Sequence, residues 1–208
     1  LNDIAIKLIV MATTIESIQV RPETECFVRT DLGQGLMAVA YLRMEQDGLL
    51  ETVFFQHIPT LKEFIGWLEA RDNRFLGCFV RNDANQAVLA GLAWLWNIRG
   101  APGGRKADCG FVVFREFMHH RLPLRLIEKT LEYSFEVENL DVVYGLTLAD
   151  NRPVLIFGRR LGFTFLPPLP KFASKQGVPC DAVMSFLTRE DWRVQRWTGG
   201  KNDIQPIS

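Results

Sequence analysis

The chain has 208 residues, 48% of them apolar, and its 24 Lys plus Arg balance 24 Asp plus Glu, so the formal net charge is zero. That length suits one large domain with an elaborated end, and a neutral surface argues against a general nucleic-acid binder, which needs a basic excess or stripe to meet phosphates. Cys26, Cys78, Cys109 and Cys180 lie far apart with no CxxC pair, and they read as buried thiols of a reducing compartment, without a disulfide or a metal site.

The apolar stretch at the beginning is interrupted by Asn2, Asp3 and Lys7 and makes a poor signal peptide. Residues 1–20 are read as an N-terminal extension, the first ten of them, ahead of Met11, as an artefact of the gene start. The longest apolar run, 87–96, is about half of a bilayer span. A cytoplasmic location without membrane attachment is the expectation.

A strand is predicted at 25–32 and helices at 35–44 and 60–72. In the second helix Leu61, Phe64, Ile65 and Leu68 share one face, and Pro59 and Thr60 mark the start. Three strands follow, 74–83, 87–99 and 107–114, joined by the turn-rich segments NDANQ and GAPGGRK into an antiparallel meander. Trp94, Trp96 and Phe111 are expected in the core rather than on a binding platform, although the alternation of Leu92, Trp94 and Trp96 leaves one strand face to line a groove.

The second half changes character. A helix over 122–140 puts Leu124, Ile127, Leu131 and Phe135 on one stripe behind Pro123 in its first turn. A strand at 141–149 comes next, then a helix capped by Asn151, with Arg159 and Arg160 at its end and Gly162 as terminator. The proline-rich segment 166–179 reads as a loop before a last strand, 181–188, taken as an exposed edge able to pair with a second copy in a homodimer. The polar tail is placed at 196–208. The order predicts an α+β domain whose strand 107–114, helix and strand 141–149 form a right-handed parallel crossover, and ligands gather at the carboxyl ends of such strands.

The order of elements, the segment ADNRPVLIFGRRLGF and the ending MSFLTREDWRV resemble the Gcn5-related N-acetyltransferase superfamily, and within it the RimJ/RimL-type branch, over roughly residues 22–195. The resemblance implies one domain over 21–195, with a splayed, mainly antiparallel sheet of six to seven strands flanked by about four helices. It also implies acetyl-CoA as co-substrate, in a cleft opened where GFVVF and VVYGLTLA part. Val113 and Phe114 would hold the pantetheine arm through backbone groups, and Asn151 would face it. The pyrophosphate would sit at the start of the following helix, on Arg115, His119, His120, Arg121, Leu122 and Pro123. The family's phosphate loop is an Arg or Gln, two residues, Gly, one residue, then Gly or Ala. Here HHRLP puts His119 at the basic position and His120 and Leu122 where glycines are usual, so a cationic cluster replaces glycine contacts. The tyrosine that in many relatives protonates the CoA thiolate falls on Gly158.

Acetyl transfer to an amine needs a base for the ammonium, donors for the oxyanion and a proton for the thiolate. Glu116 and Asp108 are the candidate bases, with Asp150 a third, and each has a plain alternative as a strand-end, turn or helix-start charge. His119 and His120 without an accompanying carboxylate cluster do not make a metal site, and no G-x-S-x-G supports a hydrolase. Two readings stand: an acetyl-CoA-dependent N-acetyltransferase acting on a primary amine, such as a peptide N-terminus or a small molecule, and a catalytically inactive binding or structural module of the same fold.

Overall fold

The computed structural model describes residues 25–118, 121–175 and 177–197. The expected extension 1–20, the expected tail apart from Arg196 and Trp197, and His119 and His120 lie outside these residues. A short strand β1 (Cys26–Arg29) leads to helices α1 (Gln34–Gln46), α2 (Leu50–Val53) and α3 (Leu61–Gly66). The meander follows as β2 (Arg74–Arg81), β3 (Ala87–Arg99) and β4 (Lys106–Val113). Helix α4 (Leu122–Glu132) runs on into a wider helical turn to Val137, and then come β5 (Val142–Leu148) and α5 (Arg152–Arg160). Strands β6 (Thr164–Phe165), β7 (Leu169–Lys175) and β8 (Val178–Thr188) precede α6 (Arg189–Trp197). Among the described residues no helix is long and apolar enough to cross a membrane.

All eight strands form one sheet in the order β1-β2-β3-β4-β5-β8-β6, with β7 also on β8. Every pair is antiparallel except β4 with β5. This is the α+β, mainly antiparallel architecture expected.

Strand alternation sorts the sheet into two faces. Phe75, Trp94 and Gly110 stand opposite one another across β2, β3 and β4, and Trp94 stacks on Phe54 at 5.6 Å while Phe75 meets Phe64 of α3 at 6.1 Å. That face belongs to α1–α3. Cys78, Gly91 and Val113 share the other face. There the Cys78 thiol lies 3.9 Å from Thr130 of α4. α4 buries Leu122, Leu126, Ile127, Thr130 and Leu131, and Phe135 follows in the next turn, so the apolar stripe is the predicted one rotated to include Leu126. α3 starts at Thr60 with a reciprocal capping box to Glu63.

Two expectations are corrected. The loop read at 166–179 contains β7, because Pro170 sits where its missing N–H is tolerated at a strand margin. With β5 on one flank and β6 and β7 on the other, β8 is an interior strand, so the exposed final edge expected for pairing with a second copy does not exist. Beside the helices expected stand the short α2 and, after β8, α6, on which Trp192 is buried.

Candidate active site

The site begins with a failure of pairing. β4 meets β5 only through Lys106, Ala107 and Asp108, opposite Val142, Val143 and Tyr144. Beyond that point β4 continues against β3 as far as Val113, and β5 continues against β8 as far as Leu148. Two strand edges therefore face each other across a gap. The Phe114 N–H donates to the Ala90 carbonyl of β3 at 2.9 Å. By alternation, the N–H and C=O groups of Val113 and Phe111 turn toward the gap. Of the two expected backbone contacts, Val113 faces the gap, whereas the Phe114 amide is committed to β3 and its ring is fully buried.

At the end of β4 the chain enters α4. Arg121 stands at the N-cap position, no side chain caps the helix, and no acidic residue lies in its first turn. Leu122 is 3% exposed and packs in the main core. Its side chain therefore does not cover the helix mouth. Pro123 is buried and has no N–H, and the Arg125 N–H already reaches the Arg121 carbonyl at 3.1 Å, so Leu122 and Leu124 supply the first-turn amides. Arg121 is exposed and makes no ion pair among the described residues.

The other expected groups beside this turn are occupied elsewhere. The Arg115 guanidinium donates to the Asp47 carbonyl at 3.0 Å, and the Arg115 N–H donates to the Asp47 carboxylate at 2.9 Å. Glu116 forms a close ion pair with Arg43 of α1. The Arg43 guanidinium lies 5.2 Å above the Phe114 ring, and burial lowers its pKa below the ordinary arginine value. This clasp fastens the C-terminal end of α1 to the turn between β4 and α4, leaving Glu116 poorly placed as a base. Asp108 sits where the two strands part, opposite Tyr144 and on the α1–α3 face. Its carboxylate accepts from the Asn97 amide at 2.7 Å and lies 3.7 Å from the Arg99 guanidinium. Asp150 is exposed at the end of β5.

Asn151 precedes α5 as expected, yet its side chain makes no cap hydrogen bond, so its amide remains available on the β5 side of the gap. Gly158 lies against Phe165 of β6: a Cβ there would be 2.5 Å from the ring edge. The place of the family's tyrosine is thus filled by a phenyl ring, which itself lies 5.5 Å beneath Arg159. Burial pushes the Cys109 and Cys78 thiols up to about 12, which keeps both in the less nucleophilic protonated form.

On the α1–α3 face, an open cleft of ≈ 240 Å³ lies between Glu51 with the segment 54–58 on one wall and Ser174, Lys175 and Gly177 on the other. Phe54 belongs to the main core, stacked on Trp94, and the Trp94 indole lies against Gly110 of β4 at the distance that excludes a Cβ. Phe55 packs instead on a small second core of Leu148, Ala173 and Ala182, built on β5, β7 and β8. Two consecutive rings thus reach to opposite sides of the gap, and the cleft opens above them. Tyr144, Phe54, Phe55 and the Arg43–Asp47 clasp carried no signal of their own in the sequence.

This parted sheet, with a crossover helix at its mouth, is the fold of the Gcn5-related N-acetyltransferases. The chain is similar to spermidine N-acetyltransferase from Vibrio cholerae, solved in complex with CoA and spermine, with a TM-score of 0.68 and 17% identity over 81% of this chain and 98% of that one. It is also similar to a probable acetyltransferase, with a TM-score of 0.64 and 18% identity over 86% of this chain and 99% of the other. No family model matches the chain, and no curated protein matches it in sequence.

Proposed function

We propose that the protein is an acyl-CoA-dependent N-acyltransferase that moves an acetyl group from acetyl-CoA to a primary amine. The observation that carries this reading is the gap itself: two unpaired strand edges, closed at one end by Asp108 and Tyr144 and open at the other toward an uncapped helix N-terminus. The edge groups of Phe111 and Val113 suit the amides of a pantetheine arm. The Leu122 and Leu124 N–H groups, the positive end of the α4 dipole and Arg121 suit its pyrophosphate. The cofactor roles that the resemblance implies for His119 and His120, which lie outside the described residues, stay part of the proposal. The Asn151 amide serves the arm from the β5 side.

In the reaction, an ammonium first gives up a proton; the amine lone pair then attacks the thioester carbon, a C–N bond forms, the C–S bond breaks, and the thiolate takes up the second proton. Asp108, on the same face as the cleft, is assigned the first proton, directly or through water. Glu116 is assigned to the clasp on Arg43. The amine enters through the cleft above Phe54 and Phe55, and a polyamine, as in the Vibrio cholerae complex, is one class of acceptor to be compared. The inactive-module reading draws support from the missing glycines and from Phe165 over Gly158.

Thermal unfolding with and without acetyl-CoA tests the proposal, because a ligand that binds the folded state raises the transition. An upward shift that Arg121→Ala weakens, together with thiol release when an amine is added, is the expected result. No shift at millimolar acetyl-CoA, beside a responsive control enzyme, refutes the acyltransferase reading. A shift without turnover of any amine favours the inactive module.

A further inference from the structure

The register between β3 and β4 breaks beside Asp108. Trp96 pairs with Asp108 and Arg99 with Lys106, so three steps along β3 cover two along β4. One extra residue is accommodated on β3, as in a bulge. Asn97 takes the left-handed conformation there, with φ +53°, which glycine adopts freely and which is costly for most other residues. In an unbroken strand, alternation would turn Asn97 away from the face that Trp96 and Asp108 share. At the bulge its side chain instead reaches the neighbouring strand, and its Nδ2 donates to the Asp108 Oδ2 at 2.7 Å.

The backbone that carries this amide is fastened on both sides. The Ile98 N–H donates to the Asp72 carbonyl at 3.0 Å, and the Arg99 guanidinium donates to the Asn97 carbonyl at 2.9 Å. The same guanidinium nitrogen lies 3.7 Å from the Asp108 Oδ2. Both contacts go to one carboxylate oxygen, and Oδ1 accepts no hydrogen bond among the described residues. Asn97 is exposed, so packing does not account for a side chain where glycine would serve the backbone. A carboxylate anchored by one oxygen and open at the other has the form of an oriented base, because the anchor fixes where the free lone pair can take a proton.

Resting on the assignment of Asp108 as base in the acyltransferase reading, we propose that Asn97 is a positioning residue: held by the bulge, it orients the Asp108 carboxylate so that Oδ1 takes the first proton of the acceptor's ammonium, directly or through water. The N–H bond that breaks leaves its electron pair on nitrogen for the attack already described, and the proton forms an O–H bond on Asp108 or on the intervening water as that water passes its own proton on.

The test is Asn97→Gly, which suits the left-handed backbone and removes the amide. Its Tm is expected within about 2 °C of the wild type, with the acetyl-CoA thermal shift retained. Thiol release is measured with ethylamine, glycinamide, spermidine and a short peptide as acceptors. At neutral pH kcat is expected to fall about tenfold, with KM little changed. The loss is expected to shrink toward parity as pH rises to the acceptor's own pKa, because an amine that arrives neutral needs no base, whereas a merely structural defect is the same at every pH. In an Asp108→Asn background, Asn97→Gly is expected to change nothing further. If Asp108→Asn loses turnover while Asn97→Gly keeps it, or loses it equally at every pH, the positioning role is overturned and Asp108 stands as base. Unchanged turnover in Asp108→Asn overturns the base assignment and the positioning role together. Acetyl-CoA binding with none of the four amines acetylated by the wild type also overturns both, and failure of acetyl-CoA to bind overturns the acyltransferase reading itself.

Discussion

The pairing of Glu116 with Arg43 gives a quantitative way to separate a structural carboxylate from a catalytic one. Arg43 is 12% exposed at its side chain and Glu116 32%. Two unit charges about 4 Å apart interact by about 4 kcal/mol at an effective dielectric constant of 20, whereas a fully exposed pair contributes about 0.2–1 kcal/mol. With one partner mostly buried and the other about one-third in water, the expected coupling is about 2 kcal/mol. Breaking a buried pair also strands the remaining charge, so Glu116→Gln and Arg43→Met should each destabilise the protein by about 2 kcal/mol. For a chain of this size that is about 4–8 °C in Tm. The double variant should recover part of the loss. Urea denaturation of the wild type, both single variants and the double variant closes the cycle. Strict additivity, with coupling below about 0.3 kcal/mol, refutes the clasp. Abolished turnover in Glu116→Gln with unchanged stability would return Glu116 to the role of base.

Two further outcomes follow from the packing. Gly158→Ala should destabilise by about 1–3 kcal/mol, since its methyl overlaps the Phe165 ring, and adding Phe165→Ala should restore room; an unchanged urea midpoint in the single variant refutes the close contact. The thiols of buried Cys78 and half-buried Cys109 rise from 9.0 to about 12 and the Tyr133 hydroxyl from 10.0 to about 12, each chiefly by desolvation. The unfolded chain therefore loses protons at lower pH than the folded one. The stability from these groups is complete below pH 9 and is lost as pH rises toward 12, by about 1.4 kcal/mol per pH unit for each thiol ionised only in the unfolded state and by less for the half-buried Tyr133 hydroxyl, which water screens. Denaturation midpoints that stay flat up to pH 11 contradict that burial.

Elements whose evidence is local were legible in the sequence. The strand read at 87–99 is β3 residue for residue, and the cap at Thr60 and the stop at Gly162, with φ +87°, needed only neighbouring residues. β7 was hidden because prolines argue for a loop, while its pairing is decided by partners on β8 and by the Lys171 N–H donating to Asp181 at 2.9 Å. α6 had a readable start: the Asp191 N–H donates to the Thr188 hydroxyl at 3.0 Å, a Thr-x-x-Asp cap. In the site, the gap fell between the strands expected, because a parallel crossover leaves few other places for it. The roles of Arg115 and Glu116 were out of reach, since Asp47 and Arg43 lie 68 and 73 residues away in sequence and nothing in either segment announces the other. That Leu122, at a position where glycine is usual, turns into the core and leaves the helix mouth uncovered was not legible, because the sequence shows that a side chain is present and not which way it turns.

Phe54 and Phe55 are joined by a single peptide bond, yet each is anchored in a different core, one on the β4 flank of the gap and one on the β5 flank. One extended dipeptide spans at most about 7 Å. The separation of the two flanks is therefore tethered by covalent geometry as well as by the three paired residues at the apex. That tether is in place once the chain has folded. A guest that slides between the strands meets a slot whose ordering entropy has already been settled, leaving more of its contact energy to appear as affinity.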